Sequence, residues 1–257
     1  ATDKVIWAYI NGSDVNYASL DDTFIFADDF TSPPESLNTS KWNIVQGDVR
    51  VRQCFTPNGA TEWWFKPVAV YHNGKTYIPY ITREGSLMII EYNHKTGKWS
   101  KPVCLHDFGV IDDHNMGSIM VLEDGRLLIA YTEHNGALYV RRSVNPENIT
   151  SWESEIKLET DSSTYTQLMT LDDGTIILFY RYAPVEGEYA RWVWRTSTDG
   201  VTWSDRQTII DFGDYVAYGY MVTDGQTIHV VFGYNDGVKM QNIYYAYSPD
   251  GGTTWKR

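Results

Sequence analysis

Residues 173–180 read Asp173-Gly174-Thr175-Ile176-Ile177-Leu178-Phe179-Tyr180, and residues 197–203 read Ser197-Thr198-Asp199-Gly200-Val201-Thr202-Trp203. The first stretch is a tight Asp-Gly turn feeding a nearly continuous apolar run, which reads as a strand buried on both faces. The second is a hairpin turn whose Asp and Ser/Thr side chains can bond their own backbone, closed by a Trp. Outward from these stretches the same layout recurs. The turn glycines Gly74, Gly125, Gly174 and Gly225 stand 51, 49 and 51 residues apart. The closing tryptophans Trp99, Trp152, Trp203 and Trp255 stand 53, 51 and 52 apart. Two independent markers with one period indicate a repeat of about fifty residues. No stretch has a 3.6-residue period, so each repeat reads as a four-stranded antiparallel meander. The expected fold is all-β, a β-propeller of such blades with four recognisable repeats over residues 51–257.

The turns Ser197–Trp203 and Ser248–Trp255 resemble the Asp-box, S-x-D-x-G-x-T-W, of sialidases and related propellers, the second with one extra residue. In that motif the Asp ties a turn and the Trp packs between sheets, so it speaks for fold and not for chemistry. Residues 1–50 differ in character and read as a leader or the remnant of another β module. The last repeat stops two residues after its Trp, which reads as a shortened ring or one closed by a strand from residues 1–50.

The chain has 257 residues with 42% hydrophobic content, enough for a large β core, and is rich in Tyr (19) and Trp (10), which stack on sugar rings. A net charge of −12 argues against nucleic acid and anionic membrane as partners. An acidic substrate stays open, because a local basic pocket can sit inside an acidic shell. No apolar run is long enough to span a membrane. The expected localisation is secreted, extracellular or periplasmic, and a monomer is expected. Cys54 and Cys104 form one disulfide or remain two buried thiols; their spacing excludes a CxxC metal cluster.

In a four-stranded meander, the loop entering the first strand and the loop between the second and third strands share one end. The entrance loops carry Trp63-Trp64-Phe65-Lys66, Asp112-Asp113-His114-Asn115, Tyr165 and Tyr215 to Tyr218; the others carry Thr82-Arg83-Glu84, Glu133-His134-Asn135, Arg181-Tyr182 and Tyr234-Asn235. His, Arg, Tyr and Trp therefore gather on one face. A lone loop histidine usually caps or packs; two on one face of one repeat, each followed by Asn, point to a cleft.

Asp112-Asp113-His114-Asn115, then Asp124-Gly125-Arg126, then Tyr131-Thr132-Glu133-His134-Asn135-Gly136 resemble the D-D-H-N…D-G-R…Y-x-x-H-N block of bacterial propeller lyases acting on ulvan. Trp63 to Tyr77, Leu178-Phe179-Tyr180-Arg181 and Trp194-Arg195-Thr196-Ser197 are similar to other segments of that family, so the resemblance covers about residues 55–257. It departs at Val68, where the family often has Arg. The resemblance implies part of a seven-bladed ring and an acidic, uronate-containing polysaccharide as partner, cleaved by β-elimination. That chemistry needs a base, an acid for the leaving oxygen, and positive charge for the carboxylate. By the resemblance His114 and Tyr180 transfer protons, His134 serves the carboxylate or the second proton, and Arg195 neutralises charge. Trp63, Trp64, Lys66, Asn115, Arg181 and Tyr182 are the expected substrate contacts, with Tyr182 also a rival for the role of Tyr180. No cofactor is required, and a structural metal ion is allowed. The alternatives are a sialidase-like glycoside hydrolase using Asp113 and Glu133, although Phe65-Lys66-Pro67 replaces the Arg-Ile-Pro signature, and a non-catalytic glycan-binding propeller.

Overall fold

The computed structural model describes residues 6–11, 14–19, 25–28, 56, 58–61, 65–110, 112, 114–183 and 189–257. The chain divides into two compact units, Ala1–Cys54 and Phe55–Arg257. In the first, β1 (Ile6–Asn11), β2 (Asp14–Ser19) and β3 (Ile25–Asp28) form an antiparallel sheet in chain order. The rest of residues 1–50 lies outside the described residues.

The second unit is built of antiparallel ladders, as the alternation of apolar runs and Asp-Gly or Asn-Gly turns requires. β4 (Val70–His72) and β5 (Lys75–Ile81) are joined by Asn73-Gly74, both at positive φ (46° and 79°). This is the backbone sense that matches strand twist in a two-residue hairpin. β6 (Ser86–Asn93) follows, flanked by β7 (Lys98–Trp99) and β8 (Val103–Asp107), which pair with different parts of it. The next strands are β9 (Met116–Val121), β10 (Leu127–Thr132), β11 (Gly136–Arg142) and the 15-residue β12 (Ile156–Thr170). They continue into β13 (Ile176–Tyr182), β14 (Arg191–Ser197) and β15 (Gln207–Ile210), giving one seven-stranded sheet in sequential order. β12 serves two repeats. Its N-terminal part pairs with β11 and its C-terminal part, from Ser163, with β13. The exchange occurs where Ser162 and Tyr165 take positive φ (66° and 59°) and the register slips between Thr164 and Gln167. β16 (Val216–Thr223), β17 (Ile228–Asn235) and β18 (Met240–Ser248) form the last sheet.

Both faces of β13 are buried. Ile177 and Phe179 join a cluster with Tyr131, Trp192 and Met221, while Ile176, Leu178 and Tyr180 join Leu128, Ala130, Leu138 and Val140. Trp192 is wholly buried and its Nε1 donates to the Ala217 carbonyl at 2.9 Å. Burying a side chain of this size contributes about 2–3 kcal/mol. The turns at 197–203 and 248–255 are tied by their acids. Asp199 Oδ1 accepts from the Val201 and Thr202 amides at 2.7 Å, and Asp250 from the Thr254 amide at 2.8 Å. These amides hold the Asp199 carboxyl at about 2. At Gly252 (φ 94°) an added Cβ would lie 1.9 Å from the Trp194 ring, so glycine is required there. Cys104 is free and exposed, which corrects its expected burial; Cys54 lies outside the described residues.

Candidate active site

Antiparallel pairing sets Met116, the first residue of β9, opposite Thr132, the last of β10. His114 and His134 each stand two residues beyond that rung, one in the loop entering β9 and one in the β10–β11 hairpin, and they meet. Their rings stack with centroids 3.6 Å apart and planes 8° from parallel. Asp112 joins them. Its Oδ1 accepts from the His114 amide and from His114 Nδ1, both at 2.8 Å, and its Oδ2 lies 3.3 Å from His134 Nδ1. An ionised carboxylate only accepts, so Nδ1 carries the proton in each ring, and a neutral ring presents Nε2 as a base. Burial opposes ionisation of Asp112, but the His114 amide and the two imidazoles outweigh it and hold the carboxyl at about 2. Asn115, 2% exposed, locks the two loops together: its Nδ2 donates to the Val110 carbonyl at 3.0 Å and its Oδ1 accepts from the His134 amide at 3.2 Å.

The stack continues inward. Tyr165 lies 5.1 Å from His114, centroid to centroid, and the Arg181 guanidinium lies 4.4 Å from the Tyr165 centroid and 5.2 Å from that of Tyr218. The left-handed backbone of Tyr165 costs about 1–3 kcal/mol in a non-glycine residue, the kind of strain that clusters at functional sites. Lys66 reaches the same strand, its ammonium 4.0 Å from the Tyr220 centroid. Its backbone is bridged to β12 through the Thr166 carbonyl (3.1 Å) and the Leu168 amide (2.8 Å).

Tyr180 and Arg195 do not join this stack. Alternation along β13 turns Tyr180 to the face opposite Phe179 and Arg181, and the Leu178–Arg195 register places Arg195 beside it. The Tyr180 hydroxyl donates to Glu159 Oε1 at 2.5 Å. Arg195 donates from Nη2 to Glu159 Oε1 at 2.8 Å, from Nη1 to the Ser204 carbonyl at 2.6 Å, and from Nε to the Tyr180 oxygen at 3.1 Å. Arg206 Nη1 donates to Glu159 Oε2 at 2.6 Å and its guanidinium stacks 3.7 Å from the Tyr182 centroid. Burial raises the Tyr180 phenol well above its usual range, and the Glu159 charge adds to it. Burial also opposes ionisation of Glu159, but Tyr180 and the two guanidinium groups hold its carboxyl below the usual carboxylate range. The expected convergence of two imidazoles, the Tyr180 phenol and the Arg195 guanidinium is therefore corrected: the imidazoles share a stack with Arg181, and the phenol and Arg195 share Glu159. Trp63, Trp64 and Asp113 lie outside the described residues; Glu133 is half-buried.

Asp112, Tyr165 and Tyr218, which the sequence places in the entrance loops without a role, and Glu159 and Arg206, which it does not single out, carry this geometry. An Asp two residues before His114 is an Asx-turn signal that could have identified the first of them. Asp112, His114 and His134 each offer one ligand atom within 4.8 Å of the others and could hold a metal ion.

A family model described as "BNR repeat-containing family member" matches residues 75–257. An ulvan lyase of Nonlabens ulvanivorans is 29% identical over 164 residues, 54% of this chain and 34% of that protein. The chain thus matches about a third of the length of that relative. Among solved structures, a PL25 ulvan lyase bound to -[GlcA(1-4)Rha3S]- superposes with a TM-score of 0.67 at 22% identity, covering 77% of this chain and 55% of the other. An α-L-arabinofuranosidase of Fusarium graminearum superposes with a TM-score of 0.51 at 16% identity, covering 75% of this chain and 67% of the other. At these identities the two structures share a fold, and that fold carries both elimination and hydrolysis.

Proposed function

The chain belongs to the BNR repeat-containing family, and on that premise we propose that it is a polysaccharide lyase cleaving uronic-acid-containing, ulvan-like sulfated polysaccharide by β-elimination. The observation that carries the reading is the Asp112–His114–His134 arrangement: two stacked imidazoles whose Nδ1 atoms face one carboxylate, which makes Nε2 the basic nitrogen of each neutral ring. A hydrolase built on a carboxylate pair would need two acids facing a glycosidic oxygen. Here the carboxylate at the centre of the site is occupied by imidazoles. The named activity of the Nonlabens relative agrees with elimination.

In the proposed reaction one imidazole Nε2 takes the C5 proton of the uronate. The C–H electron pair becomes the C4=C5 double bond, the C4–O4 bond breaks, and the departing oxygen takes a proton. We assign the first step to His114, which Asp112 holds through both amide and ring, and the second to the more exposed His134. Tyr180 is committed to Glu159 in the buried sheet interior, and the reading assigns it no proton transfer. The proposed setting is a secreted monomeric propeller, this unit supplying four of its blades, with no cofactor required.

The test is incubation with ulvan and other uronate polymers while following ultraviolet absorbance of the unsaturated product. The expected result is a rising chromophore that His114→Ala abolishes. Reducing ends formed without the chromophore would establish a hydrolase. Binding with neither product would establish a glycan-binding module.

A further inference from the structure

The end of the repeats away from the imidazoles carries a second group of rings and cations. His114 and His134 stand beyond one end of β9 and β10, and the Gly125 turn joins those strands at the other. The Asn73-Gly74 hairpin of the preceding sheet lies at that second end. Glu147, whose amide donates to the Gly125 carbonyl at 2.8 Å, accepts from Asn73 Nδ2 at 2.6 Å. Beside this hairpin one rung crosses four strands: Tyr71 on β4 pairs with Thr76 on β5, Thr76 with Tyr92 on β6, and Tyr92 with Trp99 on β7. Directly paired residues project to the same face of a sheet, so three aromatic rings and a hydroxyl share one face. His94, two residues past Tyr92, adds a fourth ring. It stands 5.4 Å from Tyr71 at 78° and 4.9 Å from Tyr92 at 82°, with its Nε2 2.8 Å from the Thr76 hydroxyl. Tyr92 packs in turn 4.7 Å from Trp99.

Core packing does not account for this row. Tyr71 is 65% exposed and His94 is exposed, while Tyr92 and Trp99 behind them are half-buried. The edge-on contacts fix the ring planes in advance, and a fixed, amphipathic ring at the surface suits stacking on a sugar. The charge around the row is as distinctive. The chain carries a net charge of −12, yet no acid stands between Glu91 and Asp107, a stretch that holds Lys95, Lys98, Lys101 and two histidines. Lys75 is committed to Glu91 at 3.2 Å and to the Glu147 carbonyl at 3.1 Å. Lys95, Lys98 and Lys101 are exposed, and among the described residues no carboxylate oxygen pairs with them. A local cluster of unpaired ammonium groups in an acidic shell attracts an anion at short range, while the shell repels the large uniform charge of a membrane or a nucleic acid.

We propose that this row is a second polysaccharide-binding site, remote from the imidazoles, that takes a segment of an anionic glycan chain. Tyr71 and His94 form the platform for a sugar ring, Tyr92 and Trp99 hold that platform in place, and Lys95 and Lys101 receive the sulfate or carboxylate groups on either side of the ring. The choice of an anionic glycan rests on the polysaccharide reading above, but binding here needs no turnover. A polymer held at this site stays at high local concentration around the catalytic end, so the site acts on long chains and leaves short ones unaffected.

Two measurements on the full chain test the site and separate it from the lyase reading. The first is affinity electrophoresis through gels containing ulvan, with a neutral β-glucan as control, on the His114→Ala variant so that the polymer is not cut. Retention is expected in ulvan and not in the glucan, and is expected to fall as salt rises. Adding Tyr71→Ala, or Lys95→Ser together with Lys101→Ser, is expected to weaken retention about tenfold. The second is elimination kinetics with His114 intact. Tyr71→Ala is expected to raise KM for the polymer while leaving kcat, and the rate on a tetrasaccharide that a single site accommodates, unchanged. Unchanged retention in both variants overturns the second site and leaves the lyase reading standing, as does equal retention by the neutral glucan. A matching loss on the tetrasaccharide puts Tyr71 in the catalytic cleft and also overturns the site. Retention lost in these variants of a protein that forms no unsaturated product keeps the site and removes the lyase reading. Should Tyr71→Ala not fold, the paired lysine variant decides by the same retention.

Discussion

On one face of β13, Tyr180, Arg195 and Arg206 converge on Glu159, and both oxygens of that carboxylate are spoken for. On the other face, Arg181 lies over Tyr165 and Tyr218 with an orphaned Nε, and two stacked imidazoles, one of them 5.1 Å from Tyr165, turn one ring edge toward Asp112. The residue types are nearly the same: phenols, guanidiniums and an acid. What differs is saturation. The Glu159 group satisfies itself within the fold and so behaves as a structural clasp between the N-terminal part of β12 and the strands that follow it. Arg181 keeps an Nε donor that no acceptor takes. A side chain of the right type marks a site only when its hydrogen-bonding capacity is unspent, and composition alone cannot reveal that.

The comparison can be broken by substitutions on either side. The largest effect on chemistry is expected from His114→Ala, which should lower the elimination rate about 10²- to 10⁴-fold, the usual contribution of a positioned base, with little change in melting temperature. Comparable activity in that variant would move the base elsewhere. On the clasp side, Glu159→Gln leaves two guanidinium groups facing a neutral amide in a site only 10% exposed. It should cost about 3 kcal/mol in urea unfolding while leaving the elimination rate within about twofold. Tyr180→Phe removes one hydrogen bond to the same carboxylate and should cost about 1–2 kcal/mol, again without loss of rate. A rate loss in Tyr180→Phe that exceeds its stability loss would restore the phenol to the reaction.

Acid sharpens the same contrast. Asp112 and Glu159 both ionise more readily folded than in an unfolded chain. Such groups add stability that is whole above the unfolded carboxyl range, about 4, and is lost as pH falls through the folded values. The wild-type melting temperature should therefore fall between about pH 5 and pH 2, and Glu159→Gln should flatten the Glu159 part of that fall. An equal slope in both proteins would show that the clasp does not titrate as described.

Much of this was legible in the sequence. The glycine and tryptophan spacings locate the repeats, and the rule that entrance and second-hairpin loops share one end brings His114 and His134 together from the sequence alone. The face of β13 was not legible. Ile176 to Tyr180 is a run buried on both sides, so the period-two signal that tells inward from outward is absent, and Tyr180, Arg181 and Tyr182 could not be assigned to faces. Glu159 gave no warning because it sits in the part of β12 that precedes the exchange of partners. The left-handed turns at Ser162 and Tyr165 that produce that exchange occur at residues with no glycine or asparagine to announce them.

The most direct measurement sets Arg181→Met beside Arg195→Met, recording for each the elimination rate on a uronate polymer and the free energy of unfolding. The account predicts that Arg181→Met loses rate with stability retained and Arg195→Met loses stability with rate per folded molecule retained. The opposite pairing, rate lost at Arg195 and preserved at Arg181, would contradict it.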